Sequence, residues 1–406
     1  MDAVTSTELG NLPQDWPVER FDSLFAVQQG KQVSKRNRLG ENQRPFLRTR
    51  NVSWGQVNLC DLDEMHFSEA DERRLALHPD DLLVCEGGDI GRTGIWRNAL
   101  DRCYYQNHLH RARLRNRNRA HPDFVLYWLW YAFEIGRVYF GRGNVTTIPN
   151  LSQSKLRELP LPVPPVKEQR KIARVLGILQ SSIERQERLV TITSELKDSL
   201  LHQLFTDGLQ HQPQKQTEIG PVPQSWRVSR LDQFCVLQRG FDITKKEQVT
   251  GRVPVVSSGG IASYHNVAKV KGPGVVVGRK GTLGKVHYLD VDYWPHDTTL
   301  WVKDFKGHDP LFTSYFLKTL RFERYNSGAS NPTLNRNTVH AELVAYPQNE
   351  EQAEIGRILK TVEDKGRLHE SKHAALAALF RTLLHKLMTA QLRVHDLDLS
   401  ELEIKK

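Results

Sequence analysis

Cysteine is scarce in this sequence of 406 residues, and its four cysteines stand apart from one another. They form no Cys-x-x-Cys pair and have no companion histidines at ligand spacing; they are Cys60, Cys85, Cys103 and Cys235. We therefore expect no disulfides, no structural zinc and no other metal site.

Long apolar runs are also missing. The longest run, from Phe124 to Phe133, is far shorter than the ~20 residues that a membrane-spanning helix needs. The first ten residues, MDAVTSTELG, lack the basic and apolar stretches of a secretory signal. We expect no membrane association and a cytoplasmic location.

Complete catalytic motifs are a third absence. The stretch GVVVGRKGT has Arg-Lys-Gly where a phosphate-binding loop needs Gly-Lys-Ser/Thr. The tetrapeptide NPTL at 331–334 lacks the second proline and the aromatic residue with which an amino-methylase grips a flipped base. Two Glu-x-Lys triplets, at 195–197 and 403–405, are interpreted as surface charge in a helix and a tail. The sequence thus predicts neither catalysis nor a cofactor site.

Positive charge is in excess. Lys and Arg number 57 against 47 Asp and Glu, a formal net charge of +10. A basic protein of this size often binds nucleic acid, although a well-solvated surface is the plain alternative.

An internal repeat runs through the whole chain. The opening ELGNLPQDW (residues 8–16) returns as EIGPVPQSW (residues 218–226), an offset of 210 residues. The offset falls to 193 where GDIGR matches GTLGK, and to 183 where Leu151 matches Leu334, Glu168-Gln169 match Glu351-Gln352, and LLH at 200–202 matches LLH at 383–385. The ends of each copy are therefore a shared frame, whereas the middle is free to differ.

Each copy ends in a long helical segment. Apolar residues recur at helical spacing; they are Leu176, Leu179, Ile183, Val190, Leu196, Leu200 and Leu204 in the first copy, and Ile355, Leu359, Val362, Leu368, Leu376, Leu379, Leu383 and Leu387 in the second. Asn349 with Gln352 resembles a capping box at the second helix start. A helix of this length, about 60 Å, must bury its apolar stripe. We expect the two helices to pair antiparallel about an approximate twofold axis; the alternative is that each packs on its own globular domain.

The predicted fold is therefore mixed α/β, with two similar globular domains joined by two long antiparallel helices that form a coiled-coil spacer. We predict a first globular domain at 1–165, a central helix at 166–207, a second globular domain at 208–348, and a final helix and tail at 349–406. Trp16 and Trp226 are expected to be buried anchors of the two equivalent folds.

These motifs occur in the same order in both copies, and together they resemble the specificity subunit of type I restriction-modification systems. The resemblance rests on GNLPQDW and GPVPQSW, GDIGRTG and GRKGTLGKV, VPPVKEQRKIARVL and YPQNEEQAEIGRIL, and LLHQLFTDG and LLHKLMTAQ, and it covers nearly the whole chain. It implies a non-catalytic subunit whose two target-recognition domains read an asymmetric, bipartite double-stranded DNA site.

The same resemblance implies the partners and cofactors. Two modification subunits would use S-adenosylmethionine to methylate adenine, and restriction subunits would hydrolyse ATP with Mg; no cofactor is expected on this chain. Similar helices at matching positions would offer equivalent docking surfaces to two copies of one methyltransferase. Half-sites about one DNA turn apart, roughly 34 Å, would present one face of the duplex to both domains.

Candidate DNA-contacting residues lie between the shared marks, where cationic and amide side chains stand beside glycine turns. In the first copy they are Arg48, Arg50, Asn51, Arg92, Arg142 and Asn144; in the second they are Ser257, Ser258, Tyr264, His265, Asn266, Arg279, Lys280, Lys285, Asn331 and Asn335. For each, a plain turn with solvated charges is the alternative.

Two other features stay open to more than one interpretation. The run RARLRNRNR (residues 111–119) is interpreted as a phosphate-contacting edge or a solvated loop, whereas the aromatic residues at 128–133 are expected in the core. Two further functions are also considered: a stand-alone double DNA-binding repressor, and a diverged self-sufficient methyltransferase or nuclease.

Overall fold

The chain folds into two compact units, each of which contains one globular part and half of each long helix. The computed structural model describes residues 4–97, 99–140, 150–209, 212–325 and 333–394. The first unit comprises Met1–Arg185 with Lys372–Lys406, and the second comprises Gln186–Ser371. Among the residues so described, no helix is long and apolar enough to cross a membrane. The predicted division into four parts remains a prediction, because the two compact units follow a different principle and divide both long helices near their middles.

The first unit is built from short strands and helices that precede a long helix. Its strands are β1 (Val4–Thr7), β2 (Gly10–Pro13), β3 (Val18–Arg20), β4 (Phe25–Gln29), β5 (Gln43–Leu47), β6 (Val52–Ser53), β7 (Gln56–Val57), β8 (Asp63–His66), β9 (Leu82–Cys85), β10 (Thr93–Ile95), β11 (Tyr104–Tyr105), β12 (Leu109–Leu114) and β13 (Pro160–Pro162). Its helices are α1 (Phe21–Leu24), α2 (Lys35–Arg38), α3 (Glu69–Leu75), α4 (Pro122–Trp130) and α5 (Gln153–Glu158), followed by the start of α6 (Val166–Thr206).

The second unit repeats this plan. Its strands are β14 (Gln214–Thr217), β15 (Gly220–Pro223), β16 (Arg227–Arg230), β17 (Val236–Arg239), β18 (Val253–Ser257), β19 (Gly260–His265), β20 (Gly274–Gly278), β21 (Val286–Leu289), β22 (Trp294–Pro295), β23 (Thr299–Asp304) and β24 (Leu343–Tyr346). Its helices are α7 (Leu231–Phe234), α8 (Pro310–Thr319) and α9 (Arg336–His340), followed by the start of α10 (Asn349–Met388).

The two units share one sheet topology. A four-stranded antiparallel sheet has the order β10-β9-β12-β4 in the first unit and β21-β20-β23-β17 in the second. A three-stranded sheet has β5 between β11 and β8, and its counterpart has β18 between β22 and β19. In both, the central strand pairs parallel with one neighbour and antiparallel with the other. The predicted mixed α/β fold with an internal repeat is therefore confirmed.

The glycine turns of the repeat have matching backbone conformations. Gly88 and Gly281 have φ of 76° and 75°, and Gly91 and Gly284 have φ of 77° and 73°. These values lie in the left-handed region that side chains other than glycine rarely adopt. A Cβ on Gly91 would lie 2.3 Å from the Phe133 ring, and one on Gly284 would lie 2.6 Å from Phe322. The glycines are therefore required by the same turn in both units.

The repeated glutamines hold equivalent joints between the globular part and the long helix. Gln169 is 1% exposed, donates to Pro164 O at 2.7 Å and accepts from His121 N at 2.8 Å. Gln352 is 0% exposed and bonds Pro347 O at 2.8 Å and Asp309 N at 3.2 Å. The predicted capping box at Asn349 is therefore wrong, because the Gln352 amide is bonded to Pro347 and to Asp309 at the start of α8.

The aromatic residues of α4 are core residues, as the sequence predicts. Trp128 is 1% exposed, and its Nε1 donates to the Tyr139 hydroxyl at 2.8 Å. Trp130 stacks on Trp54 with ring centres 5.5 Å apart. The two predicted anchors, Trp16 and Trp226, are each 2% exposed. Burial of these rings, rather than contact with nucleic acid, accounts for their positions.

Within each unit the two helix halves run antiparallel. In the first unit, Ile172 and Leu176 of α6 share a buried cluster with Leu387 and Met388 of α10. In the second unit, Gln186 Oε1 lies 2.8 Å from His369 Nδ1, whereas Leu204 near the end of α6 packs with Ile355 near the start of α10. The same clusters include residues of the globular parts, so both predicted packing modes occur together.

For three residues of the predicted apolar stripe, the prediction of burial is wrong. Leu196 is 46% exposed, Leu368 is 51% exposed and Leu379 is 45% exposed. The apolar spacing slips near the middle of each helix, so a strict 3.6-residue periodicity carries these side chains away from the buried seam. Leu196 and Leu379 occupy equivalent repeat positions, 183 residues apart.

Candidate nucleic-acid interface

A tight turn after β5 carries the first predicted DNA-contacting residues. Asn51 closes the 3-10 turn Thr49–Asn51 and is 3% exposed. Its Oδ1 accepts from Arg48 N at 2.9 Å, and its Nδ2 donates to Asn58 O at 3.2 Å and to Asp61 O at 2.9 Å. In this conformation both amide hydrogens are used inside the loop. The structure therefore argues against a DNA contact by Asn51 and explains it as the residue that shapes the turn.

The two arginines of this turn face acidic partners. Arg48 Nη1 lies 2.6 Å from Asp63 Oδ2, and the Arg48 side chain is 21% exposed. Arg50 forms an ion pair with Asp61, and these two side chains are 53% and 67% exposed. An exposed ion pair contributes at most about 1 kcal/mol. Arg50 is thus the more accessible guanidinium and can exchange its carboxylate for a nucleic-acid acceptor at small cost.

The glycine turn between β9 and β10 meets this loop. Arg92 Nη2 donates to Thr49 O at 3.0 Å, and Nη1 pairs with Asp89. The fold thus brings Arg92 to residues that lie more than forty positions earlier in the sequence. Arg48, Arg50 and Arg92 form a cationic cluster on the first unit, which we call the first-unit arginine cluster.

The corresponding place in the second unit has different chemistry. The hairpin β18–β19 presents Tyr264, 54% exposed, and the exposed Asn266. Ser257 Oγ donates to Gly260 O at 3.1 Å across the hairpin turn. Tyr264 pairs with Pro254, so it lies along the hairpin and not at its turn. The strand pairing makes Ser257 and Gly259 of that turn the equivalents of Arg48 and Arg50, so the second unit has no guanidinium group at these two positions.

Two predicted contacts in this hairpin are buried. His265 is 7% exposed, its Nδ1 lies 3.0 Å from Val249 N, and its ring packs edge-on against Trp294. Ser258 is 8% exposed, and its carbonyl lies 3.1 Å from His287 Nε2. Both positions are explained by packing inside the unit, so the structure argues against direct DNA contacts by these side chains.

The second glycine turn lies against the same hairpin. Lys285 is exposed, and its Nζ donates to Gly259 O at 3.1 Å. The backbone N–H groups of Arg279 and Lys280 both donate to Thr298 O, at 2.9 and 3.0 Å. Lys280 also forms a β-bridge with Thr333. The structure thereby brings Lys285 to the hairpin and fixes Arg279 and Lys280 at the end of β20.

Asn335 belongs to a groove that also contains residues the sequence did not suggest. Its Oδ1 accepts from Asn337 N at 3.0 Å at the start of α9. The groove has a volume of about 550 Å³ and is lined by Arg239, Arg279, Leu300, Thr333, Leu334, Asn335, Arg336 and Asn337. We call it the second-unit arginine groove. Arg239 directly precedes the repeat glycine Gly240, and that position was the signal that could have revealed it.

Arg239 is held by acidic neighbours. Its Nη2 lies 2.9 Å from Asp297 Oδ2 and 3.7 Å from Asp242 Oδ1. Burial alone raises the pKa of Asp297, but the Arg239 hydrogen bond and the nearby His296 outweigh it, and the net pKa is lowered. Asp297 is therefore ionised near neutral pH and orients the Arg239 guanidinium.

The basic run at 111–119 divides into two parts: residues 111–114 belong to β12, and residues 115–119 form the predicted solvated loop. Arg111 is 8% exposed and donates to Arg74 O and Ala76 O, at 3.1 and 2.9 Å. Arg113 pairs with Asp81 at 2.7 Å. Arg117 and Arg119 also have carboxylate partners, Asp80 and Glu19. Arg111 and Arg113 therefore stabilise the fold, whereas the exposed ion pairs of Arg117 and Arg119 contribute little.

Three predicted contacts, Arg142, Asn144 and Asn331, lie outside the described residues. Within the described part of the chain, no three His, Cys, Asp or Glu side chains form a group that could hold a metal ion.

Comparison with known proteins identifies a family whose sequence profile matches this chain. The sequence profile described as "Type I restriction modification DNA specificity domain" matches residues 13–193 and 223–378. The chain is similar to the putative type I restriction enzyme MjaX specificity subunit of Methanocaldococcus jannaschii, with 21% identity over 414 residues that cover 96% of each chain. It is also similar to the MjaVIII specificity subunit of that organism, with 23% identity over 56% of this chain and 51% of the relative.

Solved structures share the fold. The crystal structure of the type I restriction-modification S subunit from M. genitalium matches with a TM-score of 0.64 and 20% identity, over 92% of this chain and 96% of that one. A chain from a structure of type I R-M complex assembly and conformational transition matches with a TM-score of 0.50 and 15% identity, over 94% and 99% of the two chains.

Proposed function

This chain belongs to the family of type I restriction-modification DNA specificity proteins, and we propose that each of its two globular parts reads one half of an asymmetric, bipartite DNA site. Specificity subunits of this family recognise DNA and are not themselves catalytic. The predicted DNA-binding specificity function is therefore confirmed at the level of the family.

One observation supports the proposal of a bipartite DNA site. The two units have the same strand order and the same glycine-turn conformations, yet equivalent surfaces carry different side chains. The first unit presents the first-unit arginine cluster, whereas the equivalent turn of the second unit carries Ser257 and Gly259 beside Lys285. One scaffold with two sets of contact chemistry is suited to two different half-sites.

The energetics of base reading favour two readers over one. A correctly read base pair contributes about 1–3 kcal/mol of discrimination, so three or four pairs give one unit a modest preference. Two units in one chain combine their preferences for a single site. Arginine is the side chain that most often recognises guanine, and amides such as Asn recognise adenine.

We further propose that the long helices dock two copies of one modification subunit. Leu196 and Leu379 support this, because they are apolar, about half exposed, and equivalent in the repeat. The methyltransferase partners would carry S-adenosylmethionine, and restriction subunits would carry ATP and Mg. The assembly would work on DNA in the cytoplasm.

A reconstitution experiment tests this function. The chain is incubated with S-adenosylmethionine and DNA, alone and together with its modification subunit, and methylated adenines are located by sequencing. We expect methylation only in the mixture, at one asymmetric bipartite sequence. Methylation by the chain alone would mean a self-sufficient methyltransferase, and specific DNA binding with no response to any modification subunit would mean a repressor.

Variants of the exposed leucines test the docking surfaces in the same assay. Leu196→Glu and Leu379→Glu should each weaken retention of one modification subunit, because each places a charge in an apolar contact. Leu368→Glu, at a similarly exposed position without a repeat-equivalent leucine, is the control. Equal retention by all three variants would contradict the proposed docking surfaces.

A further inference from the structure

The second-unit arginine groove has an excess of positive charge over its own acidic partners. Arg239 is paired with Asp297 and Asp242, as described above. Arg336 is exposed at the start of α9. The Nη1 atom of Arg279 is buried and has no hydrogen-bond partner among the described residues. Buried guanidinium nitrogens are normally hydrogen-bonded, so this atom indicates an acceptor that the described residues do not supply.

Arg279 is also rigidly placed. Its N–H donates to Thr298 O at 2.9 Å, and its carbonyl accepts from Leu334 N at 2.9 Å. The backbone is thus tied on one side to the segment before β23 and on the other to the segment before α9. A guanidinium on a fixed backbone loses less freedom when it binds a ligand than one on a free loop.

The equivalent position in the first unit has the opposite charge. Leu151 N donates to Glu86 O at 2.8 Å, as Leu334 N does to Arg279 O, so Glu86 and Arg279 are structural equivalents. Glu86 Oε2 lies 3.4 Å from His108 Nδ1. The repeat also places Gln29 and Gln153 opposite Arg239 and Arg336. All three groove arginines are therefore absent from the first unit.

The chemistry of the groove favours an anion over a base edge. One guanidinium satisfies the two acceptors that guanine presents in the major groove. Three guanidinium groups around one concave volume instead suit a group with several anionic oxygens, as a phosphate has. The neighbouring Thr and Asn side chains can add neutral hydrogen bonds.

We propose that the second-unit arginine groove binds a backbone phosphate of DNA through Arg279 and Arg336, and that the first unit makes no such contact at the equivalent Glu86. The inference rests on the proposed DNA-reading function and adds an electrostatic asymmetry between the two half-sites. The groove positions the second unit on its half-site and does not itself select the sequence.

The test is a salt titration of DNA affinity with the assembled complex of this chain and its modification subunits. The variants are Arg279→Gln and Arg336→Gln, with Arg73→Gln as the matched control, which removes the same charge from an exposed position on α3. The probes are a duplex with the methylated target and duplexes with single changes in each half-site. Circular dichroism and the unfolding midpoint establish that each variant is folded.

We expect each groove variant to bind about tenfold more weakly near physiological salt. The plot of log K against log salt should become shallower by about one unit of slope. The loss of affinity should be equal for every duplex. Arg73→Gln should leave both quantities unchanged. Glu86→Arg, which builds the cation into the first unit, should steepen the slope.

Two results would overturn the phosphate contact: a wild-type salt slope in both groove variants, or a loss of affinity that disappears on duplexes altered at one particular base pair. Arg336→Gln keeps the test decisive if Arg279→Gln does not fold, because Arg336 is exposed. Failure of the proposed function would look different, since the wild-type complex itself would then show no preference for a bipartite site.

Discussion

Arg393 offers the sharpest test of how the first unit is held together. Its Nε and Nη2 lie 2.8 and 3.0 Å from the two Glu168 oxygens, and Nη2 lies 2.7 Å from Asp15 Oδ2. The guanidinium carbon is 5.8 Å from the centre of the Trp16 ring, whose Nε1 donates to Glu168 Oε2 at 3.2 Å. Burial lowers the pKa of Arg393, but the bonds to Asp15 and Glu168 outweigh it, so the net pKa is raised and the side chain stays charged.

The expected loss follows from the burial of the pair. The Arg393 and Glu168 side chains are 12% and 10% exposed, and removing one partner of a buried ion pair costs about 3–5 kcal/mol. Asp15 is 48% exposed and can be hydrated, and Glu168 keeps its bond to Trp16. We therefore expect Arg393→Met to lower the free energy of unfolding by about 3 kcal/mol, the low end of that range.

A double-mutant cycle in urea separates the ion pair from general packing. Glu168→Gln retains an acceptor for Trp16 and removes the charge, so the double variant with Arg393→Met leaves no buried charge unpaired. It should be more stable than the sum of the single losses predicts, by about 1–3 kcal/mol. Arg357→Met, which removes an exposed ion pair with Glu354, is the control and should not shift the unfolding midpoint. Additive losses, or an Arg393→Met midpoint equal to that of the wild type, would refute the reasoning.

Three further predictions concern pH, base reading and the helices. His110 is fully buried with Nε2 2.9 Å from Leu151 O, and burial lowers its pKa, so the stability that it contributes is complete above about pH 6.5 and lost as pH falls through the lowered folded-state pKa. His110→Gln should reduce the slope of the free energy of unfolding against pH, between pH 7.5 and 5.5, by up to about 1.4 kcal/mol per pH unit. An unchanged pH dependence would count against this histidine. Arg50→Ala should reduce the discrimination between bases at one position of one half-site by about 1–3 kcal/mol in a binding selection. A uniform loss of affinity for all sequences would mean a phosphate contact. Because Thr193 lies against Gly366, four residues inserted after each of them should lengthen the helix pair by about 6 Å and the recognised gap by about two base pairs, with altered half-sites as the contrary outcome.

The candidate site shows where sequence patterns stop being informative. Arg50 and Arg92 could be named because they stand beside glycines in polar turns, and such turns are surface features. Asn51 and His265 satisfied the same pattern, yet their polar atoms are used inside the fold. Residue type indicates what a side chain can bind, but its available atoms depend on neighbours brought in from distant parts of the chain.

The second-unit arginine groove makes the same point in the other direction. Arg239, Arg279 and Arg336 come from three places in the sequence, and no spacing connects them. They converge because β17, β20 and the start of α9 lie together in one unit. Only the order of strands in the sheet creates that neighbourhood.

The sequence by itself determined the duplication, the paired glycine turns, the buried Trp16 and Trp226, and the two long helices. These features depend on local backbone requirements and on periodicity, both of which are written along the chain. The tertiary structure alone decided that Arg111 and Arg113 serve the fold, that Leu196 and Leu379 face outward, and that Arg279 meets Arg239 and Arg336 in one groove. Burial and hydrogen-bond partners arise from contacts between distant segments, so they are decided only when the chain has packed.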